Sequence, residues 1–195
     1  MDIITSWLNG DEHISSAIFF SALGFLAKSF YDTWTTSRRN KLERVNQQLK
    51  LLYGPLHSLN QSSASSWKAF REKVRPGKPF FGTTPPPNSA ELEAWRLWVV
   101  IVFHPINETM CSIVEKNADL LIEDSFPREL ELLLAHVSSY KTVIARWEKN
   151  DFSEHTSPLN YPTQELESYL YKSFRFLKKE QRNLIGQRDD SVITK

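Results

Sequence analysis

The sequence predicts an all-α protein in which a single N-terminal transmembrane helix continues into a cytoplasmic antiparallel four-helix bundle. Only 6 of the 195 residues are glycine, and no stretch shows the polar and apolar alternation of a strand. Apolar residues instead recur at helical spacing in several stretches. The most apolar stretch, HISSAIFFSALGFLAKSFYDTW at residues 13–34, lies near the N-terminus. We therefore expect an anchor segment at 1–36, a bundle at 37–186 and a flexible tail at 187–195.

The apolar stretch becomes long enough to cross a membrane once its second half is included. The uncharged run from Ile14 to Ala27 has 14 residues. A helix of that length reaches only ~21 Å, which is short of the roughly 30 Å hydrocarbon core. Extension to Trp34 gives 21 residues, and a helix of about 31 Å. This extension contains Lys28 and Asp32, which share a helix face near one membrane boundary. The predicted span is therefore 14–34.

The residues around the span predict its orientation. No Lys or Arg precedes the apolar run, which argues against a cleaved signal peptide. Four basic residues follow it: Arg38, Arg39, Lys41 and Arg44. By the positive-inside rule, the N-terminus lies outside and the bundle lies in the cytoplasm. Because no eukaryotic targeting signal is present, we expect a bacterial inner membrane. The residues expected at the membrane interface are Trp7, Lys28, Phe30, Tyr31, Trp34, Arg38, Arg39 and Lys41.

Two other interpretations of the apolar stretch stay open, namely the first helix of a soluble bundle and a signal peptide. We favour the anchor because the run is apolar on nearly all sides, whereas a surface helix of a soluble protein carries a polar stripe. Four small residues have the spacing that helix dimers use in membranes, and they predict self-association into a homo-oligomer: Ser16, Ala17, Ser21 and Gly24.

Four bundle helices are expected after the anchor. The first carries apolar residues three and four positions apart: Leu42, Val45, Leu49, Leu52, Leu56 and Leu59. The apolar faces of the other three begin at Leu92, Phe126 and Leu166. Asn88 and Glu91 have the spacing of a capping box, which predicts the start of the second helix. Pro55 and Pro105 are expected to kink the first and second helices, because proline has no N–H to donate.

The stretch VVIVFHPINETM places three polar residues, His104, Asn107 and Glu108, in a strongly apolar helix. One interpretation is that these side chains satisfy one another and repair the kink at Pro105. The other is a polar pocket where Pro55 and Pro105 interrupt neighbouring helices. The candidate pocket residues are His57, Asn60, Trp95, Trp98, His104, Asn107, Glu108 and His136.

Several kinds of chemistry lack their sequence signature. The chain has no Glu-x-x-His motif of a carboxylate-bridged di-iron bundle and no glycine-rich phosphate loop. The single cysteine, Cys111, excludes an intramolecular disulfide and a multi-cysteine zinc site. We therefore expect no metal, no cofactor and no catalytic residue. The mixed basic and aromatic stretch WKAFREKVRPGKPFF is typical of nucleic-acid binding, but also of a helix end with buried rings, and we favour the second interpretation.

These observations predict a single-pass, membrane-anchored protein that is not an enzyme. Its bundle is expected to act as a sensor, adaptor or effector that contacts membrane lipid and an unidentified protein partner. The alternative is a small-ligand-binding or enzymatic bundle with a polar site around His104, Asn107 and Glu108. An open polar cavity lined by His104 and His136 would favour this alternative. Buried side chains hydrogen-bonded to one another without a cavity would oppose it.

Overall fold

The computed structural model describes residues 4–82 and 84–186, with side chains described from Ser21 onward. The expected tail at 187–195 lies outside the described residues, and so do the side chains of Trp7, Ser16 and Ala17. Every regular element in the described part is helical, which confirms the all-α class. The helices are α1 (Ile4–Gln47), α2 (Gly54–Val74), α3 (Ser89–Trp98), α4 (His104–Lys116), α5 (Arg128–Trp147) and α6 (Thr163–Ile185).

Two π-helical segments join helices that the sequence reads as continuous. The first, Gln48–Tyr53, lies between α1 and α2, and the second, Val99–Phe103, lies between α3 and α4. At their ends, the N–H of Gly54 donates to the carbonyl of Leu49, and the N–H of His104 donates to that of Val99. Each segment is followed one residue later by a proline, Pro55 or Pro105.

The proline ring explains the position of both segments. An α-helix would place the carbonyl four residues back against this ring, and proline has no N–H to offer it. A π turn contains one more residue, so that its hydrogen bonds reach five residues back, and it is found as a single-turn interruption of α-helices. The interruptions expected at Pro55 and Pro105 therefore take the form of π-helical turns that begin before the prolines.

The contacts of the chain divide it into two units, with the boundary between Glu43 and Arg44. In the first unit, every described side chain from residue 21 to residue 34 is exposed. These side chains include large apolar groups, and Phe25 and Phe30 are 72% and 74% exposed. The first unit therefore presents an apolar helical surface that no described residue within it covers.

The second unit contains a cluster of mainly aliphatic side chains, called the aliphatic cluster below. Its buried members are Leu52, Tyr53, Leu56, Met110, Cys111, Val114, Leu120, Leu130, Leu133, Val137, Leu166, Leu170 and Leu177. They come from the first π segment, from α2, α4, α5 and α6, and, for Leu120, from a short 3₁₀ helix at Ala118–Leu120. Burial of each leucine contributes about 1.5–3 kcal/mol. Phe126 departs from its predicted apolar face and is 44% exposed, because α5 starts only after Pro127 and the helical spacing does not extend back to it.

A second group, the aromatic cluster, has as its buried members Phe70, Phe80, Trp95, Val99, Phe103, Tyr140, Val143 and Trp147. Phe80 comes from the loop between α2 and α3. Arg75 holds this loop, since its Nη1 donates to Glu91 Oε2 at 2.7 Å and its Nε donates to the carbonyl of Pro79. Glu91 also completes the predicted capping box with Asn88, which confirms the start of α3. Within WKAFREKVRPGKPFF, the rings of Phe70 and Phe80 are thus buried, as at a helix end.

Among the described residues, the helix Ser89–Lys116 is long and apolar enough to cross a membrane by length and composition alone, with a mean hydropathy of 1.5 in its most apolar window. A buried core helix of a soluble protein also meets this criterion of length and composition. Trp95 and Phe103 from this helix are buried in the aromatic cluster, and Met110 is buried in the aliphatic cluster.

Candidate ligand pocket

A cavity of about 470 Å³ opens beside the aromatic cluster, within the second unit. Its walls come from α2, from the loop between α2 and α3, from the helix Ser89–Lys116, from α5, from the loop that joins α5 to α6, and from the first turns of α6. Six aromatic residues line it: Trp67, Phe81, Trp95, Phe103, Tyr140 and Tyr161. The rings of Trp67 and Trp95 meet edge to face with centroids 5.7 Å apart, so this wall is built from rings that hold one another in place.

Five residues of the predicted pocket line this cavity: Asn60, Trp95, His104, Asn107 and His136. The other three lie elsewhere. His57 stacks on Phe174 with ring centroids 5.0 Å apart, and Trp98 packs against Phe70 and Phe103. Glu108 is not among the lining residues and contacts His104 and Lys141. The structure therefore brings together polar residues from α2, α4 and α5 at one cavity and leaves His57, Trp98 and Glu108 outside its lining.

The loop between α5 and α6, residues 148–162, closes one side of the cavity. Three ring donors from the helices hold it in place. Trp95 Nε1 and Tyr140 Oη both donate to the carbonyl of His155, at 2.7 and 2.9 Å, and Trp147 Nε1 donates to the carbonyl of Glu154 at 2.7 Å. At the other end of the loop, Tyr161 Oη donates to Asn60 Oδ1 at 3.1 Å. This network makes the loop a fixed wall of the cavity.

His136 lines the cavity as an acceptor. Its Nδ1 lies 2.6 Å from the carbonyl oxygen of Leu159. A carbonyl only accepts, so Nδ1 carries the proton and Nε2 of the neutral ring keeps a free lone pair. Burial lowers the pKa of His136, opposed by the hydrogen bond to Leu159 and assisted by His104. The imidazole is therefore neutral at physiological pH.

His104 belongs to a chain of charged and polar groups at the edge of the cavity. Its Nε2 lies 3.5 Å from Glu108 Oε1, which in turn lies 3.3 Å from Lys141 Nζ. Burial lowers the pKa of His104, and Glu108 opposes this shift. Lys141 balances the charge of Glu108, so this chain of groups brings little net charge to the cavity.

Asn107 differs from its neighbours because its carboxamide oxygen is buried and accepts no hydrogen bond from the described residues. The residue is 8% exposed and lines the cavity. A buried acceptor without a donor costs about 1–3 kcal/mol. The oxygen leaves one acceptor position open to a ligand.

Neither a metal site nor an activated thiol emerges from the described residues. No group of three or more His, Cys, Asp or Glu side chains within 4–82 and 84–186 is placed to hold a metal ion. Cys111 lies in the aliphatic cluster, and burial raises the pKa of its thiol to about 11. A thiol with so high a pKa is a poor nucleophile at neutral pH. Comparison of the chain with family models, curated proteins and solved structures finds no match.

Sequence reasoning missed most of the aromatic wall and the loop that carries part of it. Trp67 and Phe81 belong to the stretch WKAFREKVRPGKPFF, which was interpreted as a helix end with buried rings, and Tyr140 was not among the predicted pocket residues. The missed signal was the length of the loop at 148–162, because helix connections in bundles usually span about 2–8 residues and longer loops are often functional. Its His155, Leu159 and Tyr161 are also unusual residues for a plain surface connection.

Proposed function

We propose that this protein is a membrane-anchored sensor that binds a small, largely apolar ligand in the cavity of its helical bundle. The cavity of about 470 Å³ carries this proposal. It falls within the size range of small-molecule sites, and it combines apolar walls with a few polar groups, as such sites do. This proposal combines the leading expectation, a non-enzymatic sensor, with the ligand-binding part of the alternative. An enzymatic role has less support, because His104 and Glu108 lack a nucleophile beside them in the described part of the chain.

The anchor in this proposal is the span 14–34, with the N-terminus outside, the four-helix bundle antiparallel and cytoplasmic, and the membrane a bacterial inner membrane. The exposed apolar side chains of Leu23, Phe25, Leu26 and Phe30 support it, because lipid would cover surface that water solvates poorly. Gly24 leaves open space where a side chain would stand, which suits close approach of a second copy through the small-residue face. A protein partner for the bundle remains part of the proposal.

Cell fractionation tests the anchor. The full chain should stay with the membrane until detergent is added, and a variant that lacks residues 1–36 should become soluble. The pair Leu23→Asp and Leu26→Asp should also release the protein, because each Asp near the middle of a span costs about 2.5–3.5 kcal/mol. The control pair Thr36→Asp and Ser37→Asp lies beyond the span and should remain in the membrane. Full-length protein in the soluble fraction would exclude the anchor.

A thermal-shift screen tests the cavity. The full chain in phosphatidylcholine nanodiscs is heated with a panel of neutral aromatic compounds and followed by tryptophan fluorescence. Compounds that enter the cavity should raise the melting temperature of the wild type. They should not raise that of Ala64→Trp, whose added ring occupies space at the lining residue Ala64. Equal shifts in the two proteins would place binding elsewhere and contradict the proposed pocket.

A further inference from the structure

The walls of the cavity indicate the charge of its ligand. Six aromatic residues line the cavity, and the face of an aromatic ring carries a negative electrostatic potential. A cation positioned over such a face within about 6 Å of the ring centroid is attracted to it. Edge-to-face contacts fix these rings, as between Trp67 and Phe103, whose planes meet at 67°. The rings are therefore ordered before a ligand binds.

The charged residues in and near the lining also favour a positive charge on the ligand. Glu167 on α6 is an exposed residue of the lining, and it brings a carboxylate to the solvent side of the site. No Lys or Arg belongs to the lining among residues 4–82 and 84–186. The cation closest to the polar edge, Lys141, is paired with Glu108. The cavity thus offers a net negative environment and no basic group that would hold an anion.

The hydrogen-bonding groups are also asymmetric. The ring donors of Trp95, Tyr140 and Tyr161 are all used by groups of the protein. Asn107 Oδ1 is an acceptor without a donor. Because Nδ1 of His136 carries the proton, Nε2 of the neutral ring is an acceptor. A ligand that enters this site therefore meets at least one buried acceptor, Asn107 Oδ1, that lacks a donor.

We propose that the cavity binds an organic cation, an ammonium group carried on a flat apolar body. This inference rests on the proposed ligand-binding function and names its ligand class. The ammonium group donates to Asn107 and faces the aromatic rings, Glu167 offsets its charge from the solvent side, and the apolar body fills the remaining space. A phosphorylated or carboxylated ligand would find no Lys or Arg in the described lining to offset its charge, so we expect nucleotides and organic acids to bind weakly.

The test uses three probes that share an indole ring and differ at one group: tryptamine, which is cationic at neutral pH, neutral 3-ethylindole and anionic indole-3-acetate. Binding to the full chain in phosphatidylcholine nanodiscs is measured by isothermal titration calorimetry, with empty nanodiscs subtracted. We expect tryptamine to bind about tenfold more tightly than 3-ethylindole, in line with a desolvated cation–π contact. Indole-3-acetate should bind most weakly. Binding of indole-3-acetate as tight as that of tryptamine would overturn the inference.

A matched pair of variants tests whether the carboxylate at the cavity, and not any carboxylate near the start of α6, favours a cation. Glu167→Gln should weaken tryptamine binding about two- to fivefold, as expected for an exposed ion pair, and leave 3-ethylindole unchanged. Glu165→Gln removes the same charge two residues away, outside the lining, and should leave both unchanged. If the two variants have equal effects, the cation preference does not arise at Glu167 and the inference is wrong.

The neutral probe 3-ethylindole distinguishes two proposals, namely that the cavity binds a ligand and that this ligand is a cation. Binding of 3-ethylindole that Ala64→Trp abolishes shows a ligand pocket, whatever the charge preference. If 3-ethylindole binds there and tryptamine binds no better, the cation proposal fails and the proposed function stands. If none of the three probes shows binding that Ala64→Trp removes, both fail.

Discussion

The aliphatic and aromatic clusters belong to the same unit, but they fill space differently. In the aliphatic cluster, Leu52, Leu56, Met110 and Leu133 have no exposed surface, and no buried member of it lines the cavity among the described residues. In the aromatic cluster, Trp95, Val99, Phe103 and Tyr140 all line the cavity. The closed core thus consists mainly of aliphatic side chains, and the buried residues beside the cavity are mainly aromatic.

The shapes of the side chains explain this difference. Leucine and methionine have flexible, branched or linear chains that adapt to the gaps around them. Aromatic rings are flat and rigid, and those with an N–H or O–H turn that group toward a partner. Trp95, Tyr140 and Trp147 direct their donors to the loop at 148–162. Their rings are oriented by these hydrogen bonds and do not collapse into the remaining space.

The largest effect is expected from Leu133→Ala, in the aliphatic cluster. Because Leu133 is fully buried in a closed core, its truncation leaves a cavity and should cost about 2–5 kcal/mol. Urea unfolding of the full chain in nanodiscs, followed by tryptophan fluorescence, measures this loss. Leu97→Ala is the control, because Leu97 is 61% exposed, and it should change stability by less than about 0.5 kcal/mol. A small effect at Leu133 would mean that the aliphatic cluster is not closely packed.

Thiol reactivity compares the accessibility of the two regions directly. Cys111 is buried in the aliphatic cluster with its pKa raised to about 11, so iodoacetamide should modify it only after unfolding. Ser63→Cys places a thiol in the cavity lining, and in a Cys111→Ser background it should react on the order of a hundredfold faster than Cys111 does in the wild type. Mass spectrometry over a time course measures both rates. Equal rates would contradict an open cavity.

Two asparagines test whether the polar lining is retained at a cost in stability. Asn107→Leu removes the buried oxygen that lacks a donor, so it should raise the free energy of unfolding by about 1–3 kcal/mol. Asn60→Leu removes the acceptor of Tyr161 Oη and should lower that free energy, because it strands a hydroxyl. Urea unfolding measures both variants. A loss of stability in Asn107→Leu would indicate that the oxygen has a structural role.

The smallest effect concerns pH. Burial is the first cause that lowers the pKa values of His104, His136 and His155 below the ordinary value of 6.5. The unfolded chain therefore binds more protons than the folded chain once the pH falls below that value, and stability decreases as the pH is lowered from 7.5 to 5.5. In His136→Gln this decrease should be shallower. If the stability of His136→Gln falls as steeply with decreasing pH as that of the wild type, groups other than His136 cause the pH dependence.

Part of the cavity lining could be predicted from the sequence, because some of its residues are polar groups near a proline in a helix. His104 and Asn107 stand out as polar residues in an apolar stretch beside Pro105, and Asn60 lies on α2, five residues after Pro55. The wall from 148–162 could not be predicted, since local spacing does not say where a long loop folds back. His57 and Glu108 do not line the cavity for a related reason: tertiary contacts decide which polar residues of a helix reach it, and these two contact Phe174 and Lys141.

The sequence by itself predicted that the chain is helical, that Pro55 and Pro105 interrupt helices and that an apolar stretch lies near the N-terminus. These depend on local periodicity and on the chemistry of single residues, as with the capping box at Asn88 and Glu91. Only the tertiary structure decided that a cavity exists, that aromatic rings line it and that the oxygen of Asn107 lacks a donor. Such features depend on how side chains distant in sequence fill a shared volume, which no local pattern encodes.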